Sequence, residues 1–163
     1  MSAEQQFPMT PAGLDKLRKE LKRIKEHERP ENIQAIETAL GHGDLRENAE
    51  YHAAKEEQGR LDARIRYLEF RISRAEVIDP SQFASNKVSF GATVTLIDID
   101  NDQKVIYQIV GEDESDVGQG KVSITAPIAR ALLGKQKGDE IVVRLPKGDR
   151  EYEIVKVDYK GID

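Results

Sequence analysis

The chain has no cysteine and no tryptophan, and aromatic residues fill only 6% of its 163 positions. Without cysteine there are no disulfide staples and no thiolate metal sites, a usage that fits a reducing, cytoplasmic compartment. No apolar run approaches the roughly 20 residues needed to cross a membrane. Met1 to Thr10 carry neither a basic n-region nor an apolar core, so no signal peptide is expected there. An excess of positive charge is missing too. The 25 Lys and Arg stand against 30 Asp and Glu, a net charge of −5, so the protein as a whole is not a basic nucleic-acid binder. What is abundant is charge of both signs, 34% of residues against 38% hydrophobic. That balance is high for a compact globule and ordinary for a chain with long exposed helices. The length allows one domain or two small ones.

The chain changes character near Asp79-Pro80. Residues 1–78 hold 14 of the 25 Lys and Arg and 15 of the 30 Asp and Glu, which leaves 11 and 15 beyond them, so the first half is nearly neutral and the second acidic. In the first half, Thr10 followed by Pro11 reads as a helix start, a capping hydroxyl and then proline at the first helical position. Leu14, Leu17, Leu21 and Ile24 form an apolar seam. Glu28 interrupts it, and Pro30 inside the helix removes a hydrogen bond and favours a kink. Ile33, Ile36 and Leu40 are expected to resume the stripe in a shifted register. Gly41, His42 and Gly43 stop this helix. A second helix carries Tyr51, Ala54, Gln58, Leu61, Ile65, Leu68, Ile72 and Ala75 at alternating spacings of three and four. Two such helices joined by a short loop predict an antiparallel coiled-coil hairpin, an arm of about 30 residues and about 45 Å.

The second half reads as short strands. Residues 93–97 and 104–110 flank the turn-forming stretch 98–103, and residues 141–143 and 152–157 flank Pro146-Lys147-Gly148-Asp149, two hairpin signals. Residues 121–125 make another strand, and Pro127 to Leu133 a short helix closed by Gly134. The fold class is therefore α+β: a hairpin over residues 1–79, then a small α+β domain over residues 80–163.

Any chemistry lies at the hairpin's far end, Gly41-His42-Gly43-Asp44-Leu45-Arg46-Glu47-Asn48-Ala49-Glu50-Tyr51. Asp44 and Glu47 stand three apart, the spacing of a capping box, and acidic residues suit the positive end of a helix dipole. From spacing alone, capping is the commoner use. The functional alternative is a carboxylate pair offered to a hard cation. Mg²⁺ takes oxygen ligands and is often held by one or two carboxylates plus phosphate oxygens. Two carboxylates alone would hold it poorly, so such a site needs completing by another molecule. His42 and His52 lack a third ligand and read as tip surface rather than as a metal site. Tyr51 begins the second seam, with its hydroxyl available to brace the tip, and Gln58 is the polar residue within it, a candidate for setting register.

Longer motifs carry a resemblance. Met9-Thr10-x-x-Gly13, Arg29-Pro30, Gly43-Asp44-Leu45-x-Glu47-Asn48-Ala49-Glu50-Tyr51-x-Ala53-Ala54-Lys55-Glu56 and Ala75-Glu76-Val77-Ile78-Asp79 resemble the GreA/GreB family of transcription elongation factors. Phe90-Gly91-Ala92-Thr93-Val94, Ile109-Val110-Gly111 and Pro127-Ile128-Ala129-Arg130-Ala131-Leu132 continue the match over nearly the whole chain. Leu45 and Asn48-Ala49-Glu50-Tyr51 lie nearer the GreA branch than the GreB branch.

The resemblance implies a hairpin that enters the secondary channel of bacterial RNA polymerase, and a C-terminal domain resembling the FKBP-like, prolyl-isomerase fold that grips the channel's outer rim. Arrested polymerase slides back and extrudes the nascent RNA 3′ end into that channel. Asp44 and Glu47, by resemblance, help to hold a second Mg²⁺ shared with the polymerase and to orient the attacking water, so that the polymerase cleaves its own transcript. The factor is then not itself an enzyme, binds no small-molecule substrate and meets no membrane. Arg46 and Lys55 would face the RNA or the channel wall, although surface charge on a helix is an equal alternative for both. Ile124, Ala126, Pro127 and Ile128 would form the rim contact, or simply a strand-to-helix corner. The family often carries arginine where this chain has Leu40, which weakens the expected grip on RNA. Two other functions compete. A paralogue of the same fold can block the channel without promoting cleavage, but such relatives carry a different acidic tip. A peptide-binding or isomerase module would want an aromatic pocket, and the second half has two Phe, three Tyr and no Trp.

Overall fold

Thr10 starts the first helix as its chemistry allows. Its Oγ1 accepts the Gly13 N–H at 3.0 Å, and Pro11, with φ already fixed and no N–H to lose, opens the first turn. In this computed structural model, which describes residues 5–44, 46–83 and 85–160, helix α1 spans Pro11–Arg23. Leu14, Leu17 and Ile24 are buried and Leu21 is half-buried, as the seam predicts. The chain then makes a π-helical turn, Ile24–Glu28, closed by the Arg29 N–H on the Ile24 carbonyl, and α2 runs over Arg29–Leu40 with Pro30 in its first turn. Pro30 has no N–H to give, so the wider turn just ahead of it is where the hydrogen-bond ladder is interrupted.

One additional residue in a turn rotates everything that follows by about 100°. The expected stripe of Ile33, Ile36 and Leu40 is corrected accordingly. Ile33 and Leu40 are 47% and 48% exposed, Ile36 is half-buried, and Asn32 and Ala39 take the buried positions. Helix α3 spans Ala49–Ser73, about 37 Å of rise. Its seam holds from Ala54 through Leu61, Ile65 and Leu68, all buried. It ends before Ala75, which the sequence placed on the helix and the structure places in a strand. Across the hairpin the Arg64 guanidinium bonds the Glu20 carboxylate twice, at 2.6 and 2.9 Å, and holds that carboxyl below its usual range.

By their contacts the residues divide into two units, Asp15–Arg74 and, separately, Gln5–Leu14 together with the chain from Ala75 onward. In the second unit, β1 (Phe7–Met9) pairs in parallel with β2 (Ala75–Val77), Phe7 beside Ala75 and Met9 beside Val77. Gly111 lies against β1: a Cβ there would collide with the Pro8 carbonyl oxygen. Thr10 donates its hydroxyl to the buried Glu114 carboxylate, and a Cβ on Gly13 would fall 2.7 Å from Glu114 Oε2. Met9-Thr10-x-x-Gly13 is thus a packing motif. The main sheet takes β3 (Thr93–Asp98), β4 (Lys104–Val110), β5 (Lys121–Ser123), β6 (Glu140–Val143) and β7 (Arg150–Asp158) in the order β5-β4-β3-β7-β6. Both predicted hairpins form as antiparallel pairs, β3 with β4 and β6 with β7, while β5 joins β4 in parallel. Val94, Leu96, Ile109 and Ile154 are wholly buried in a core that α4 (Pro127–Leu132) completes through Ala129 and Leu132.

Two outcomes test this packing. Gly111→Ala drives a methyl into backbone and should lower stability by about 1–3 kcal/mol in a urea titration; an unchanged midpoint would mean that β1 does not seat there. A carboxyl whose pKa is lowered by folding adds stability above its unfolded range and loses it as pH falls through the folded value. Glu20→Gln should therefore cost a few tenths to about 1 kcal/mol at neutral pH, for a pair this exposed, and nothing in acid where Glu20 is protonated. A cost that persists in acid would assign Glu20 a packing role.

Candidate functional site

The tip is built by two helix ends and one asparagine. Helix α2 stops at Gly41, whose N–H reaches back to the Thr38 carbonyl at 3.2 Å, and Gly43 turns the chain with φ of +100°. Asn48 then starts α3. With φ −89° and ψ 93° it is extended, and its Oδ1 accepts the Tyr51 N–H at 3.0 Å. Its Nδ2 donates to the Ala39 carbonyl at 2.6 Å. One buried side chain thereby caps one helix and ties it to the end of the other.

The capping that the Asp44–Glu47 spacing permits is therefore carried out by Asn48. Asp44 Oδ1 accepts the Arg46 N–H at 2.9 Å and closes a local turn. Glu47 has no hydrogen-bond partner among the described residues, and both carboxylates are exposed. Leu45, part of the tip motif, lies outside the described residues. Neither carboxylate belongs to a ready metal site: among the described residues no three His, Asp or Glu converge on a point. Two exposed oxygen donors on one short turn fit one side of a shared hard cation and no more. His42 Nε2 lies 3.4 Å from Glu50 and His52 Nε2 lies 3.4 Å from the Arg46 carbonyl, so both histidines brace the surface of the tip.

Other tip residues take plain roles in the free protein. Lys55 donates to Gln58 Oε1 at 2.7 Å along the same helix. Gln58 therefore spends its polar group within α3 and is not the register device that its place in the seam suggests. Tyr51 is half-buried, and its hydroxyl has no partner among the described residues, so the brace expected of it is absent there. Arg46 is exposed and lies on the same turn as Asp44. Far along the chain, the segment from Ile124 to Ile128 is a strand-to-helix corner. The Ile124 N–H bonds the Val110 carbonyl at 2.8 Å and Ala126 is extended ahead of α4. Ile124 and Ile128 pack on the core, Ala126 is half-buried and Pro127 is exposed.

Residues 7–77 match the family model described as transcription elongation factor, N-terminal. Residues 83–159 match the model described as transcription elongation factor, GreA/GreB, C-term. The chain belongs to the GreA/GreB family. It is similar to the transcription elongation factor GreA of Alkalilimnicola ehrlichii, 57% identical over 153 residues, 93% of this chain and 97% of that protein. The GreA of Hyphomonas neptunium is 54% identical over 156 residues, 96% of this chain and 99% of that one. Among solved structures, the GreA factor homolog 1 of Thermus thermophilus is 29% identical, covering 94% of this chain and 99% of that chain at a TM-score of 0.44.

Within this GreA/GreB family member the sequence reading missed two residues at the tip, Asn48 and Asn32. Asn48 carried a signal: asparagine directly before a helical seam is among the best caps. Asn32 carried none, because its burial depends on the π turn. The two exposed carboxylates lead to one expectation for the free protein. Calorimetric titration with Mg²⁺ should show no tight stoichiometric site, and tight binding at one ion per chain would mean that a third ligand closes in solution.

Proposed function

We propose that this chain stimulates cleavage of backtracked nascent RNA by bacterial RNA polymerase, the tip of its hairpin entering the polymerase's secondary channel. The observation that carries the reading is the division of labour at the tip. Asn48 caps α3, so Asp44 and Glu47 are exposed carboxylates without a structural duty there beyond one local turn. Membership of a transcription elongation factor family supports the same reading. No helix among the described residues is long and apolar enough to cross a membrane, and the working compartment is the cytoplasm, where the polymerase acts.

In this reading Asp44 and Glu47 would supply oxygen ligands to a Mg²⁺ shared with the polymerase, and would orient the attacking water by accepting its hydrogen bonds. The cation, when bound, supplies charge stabilisation to the cleaved phosphodiester and acidifies the water. The bond is cut in the polymerase's own centre, so the chain contributes ligands rather than an active site. Arg46 and Lys55 lie beside the extruded RNA 3′ end or the channel wall, where Lys55 can exchange its bond to Gln58 for a phosphate. Ile124, Ala126, Pro127 and Ile128 present the corner that meets the channel's rim. Pro127 is its exposed point, and the two isoleucines stiffen it from the core side.

The experiment is cleavage of stalled, backtracked complexes by Asp44→Asn/Glu47→Gln. The amides keep the shape, and the amide oxygen that replaces the Asp44 carboxylate can still accept the Arg46 N–H. Loss of charge near the start of α3 costs about 0.3–1 kcal/mol, too little to unfold the hairpin. Cleavage should fall by orders of magnitude while melting and competition for polymerase stay close to wild type. Near-normal cleavage by the folded double variant would remove the carboxylates from the chemistry.

A further inference from the structure

The seam of the hairpin is apolar along most of its length and changes at the distal end. Leu17, Ile24, Leu61, Ile65 and Leu68 fill its lower part. Near the tip the buried seam positions are Asn32, Ala39, Asn48 and Ala54, at 6%, 1%, 9% and 8% exposure. Methyl groups alone give little burial and no direction. The two amides give both. Asn32 Nδ2, on α2, donates to the Ala54 carbonyl of α3 at 2.9 Å. Asn48 Nδ2, at the start of α3, donates to the Ala39 carbonyl of α2 at 2.6 Å. Each helix thus gives one amide to the other's backbone, and the small Ala39 and Ala54 let the backbones come close enough to receive them.

A distal seam whose apolar members are only Ala39 and Ala54 has no large knob to lock into a hole, so its packing opposes a small axial slide weakly. A hydrogen bond opposes it sharply. One residue of slide is about 1.5 Å along a helix, which takes both donors out of reach and leaves two amides unpaired away from water. We propose that Asn32 and Asn48 are positioning residues. Their reciprocal bonds fix the axial register of α2 and α3 at the tip and thereby fix where Asp44 and Glu47 stand. The inference rests on the proposed role of those carboxylates. It also gives the π turn a purpose, since without its additional residue Asn32 would not face α3.

Polar residues in such a seam lower stability while specifying register, and that separates positioning from mere support. Asn32→Leu restores an apolar residue to the seam, so it stays folded and melts at or above the wild-type temperature. Asn48→Asp keeps the cap on Tyr51 and removes the donor to Ala39. Both variants should compete for backtracked polymerase with unchanged half-saturating concentration, yet reach at most a tenth of the wild-type maximal cleavage rate. A supporting role would instead make cleavage follow the melting temperature. The register itself is read in the free protein. The chain has no cysteine, so nitroxides placed through Leu40→Cys and Ala53→Cys, both exposed, report one separation across the tip. That distribution should be narrow in the wild-type background and broad with Asn32→Leu. Cleavage within twofold of wild type by Asn32→Leu and Asn48→Asp, beside a collapsed Asp44→Asn/Glu47→Gln, overturns the positioning role and leaves the carboxylate reading intact. An unchanged nitroxide distribution overturns the register claim by itself. Normal cleavage by the double carboxylate variant removes the reading on which the inference rests, and the inference with it.

Discussion

Pro30 has no amide hydrogen, and a helix that contains it must give up a hydrogen bond somewhere. Here the interruption is a single π turn, Ile24–Glu28, immediately ahead of the proline. The turn adds a residue without ending the helix. Every side chain after it is rotated by about 100° relative to a continuous helix, which turns Ile33 and Leu40 outward and brings Asn32 and Ala39 onto α3. The polar tie from Asn32 to Ala54 and the close approach of α2 at Ala39 both follow from that rotation. So does the distal end's reliance on amides rather than on aliphatic volume.

At the tip itself one side chain does two jobs, of which an acidic residue could do only one. Asn48 satisfies the Tyr51 N–H and reaches back to Ala39. A carboxylate could take the first role and not the second, since it has no proton to donate. With Asn48 in place, Asp44 closes only a local turn and Glu47 none among the described residues. The two carboxylates are then available to a partner. An exposed acidic pair on a glycine-flanked turn is poorly suited to hold a cation alone.

The second unit shows the same economy of small residues. Gly111 admits the Pro8 backbone, and Gly13 admits the Glu114 carboxylate that Thr10 bonds. Both glycines stand in motifs that carry the family resemblance, and each is explained by a close approach and not by its φ. The corner at Ile124–Ile128 is likewise held by backbone bonds to Val110 and Ser123, which makes it a stiff feature whatever it touches.

Much was legible from the residues alone. The alternating three-and-four spacing of α3, the Thr10-Pro11 start and the two hairpins of the main sheet were all readable, because each depends on neighbours within a few positions. The family was readable for a related reason: the motifs are long and contiguous. The parallel pair β1–β2 was not, since its strands are three residues each and lie at opposite ends of the hairpin sequence, and short segments carry no periodicity. Nor was the buried face of α2. A one-residue change of helical phase is decided by how Pro30 is accommodated, and the apolar residues beyond it, Ile33, Ile36 and Leu40, favour the register that the structure does not adopt. The choice between Asp44 and Asn48 as the cap was also left to the folded hairpin. Both are good capping residues, and only the approach of the Ala39 carbonyl, brought there by the packed α2, gives the asparagine a second hydrogen bond that the aspartate could not make.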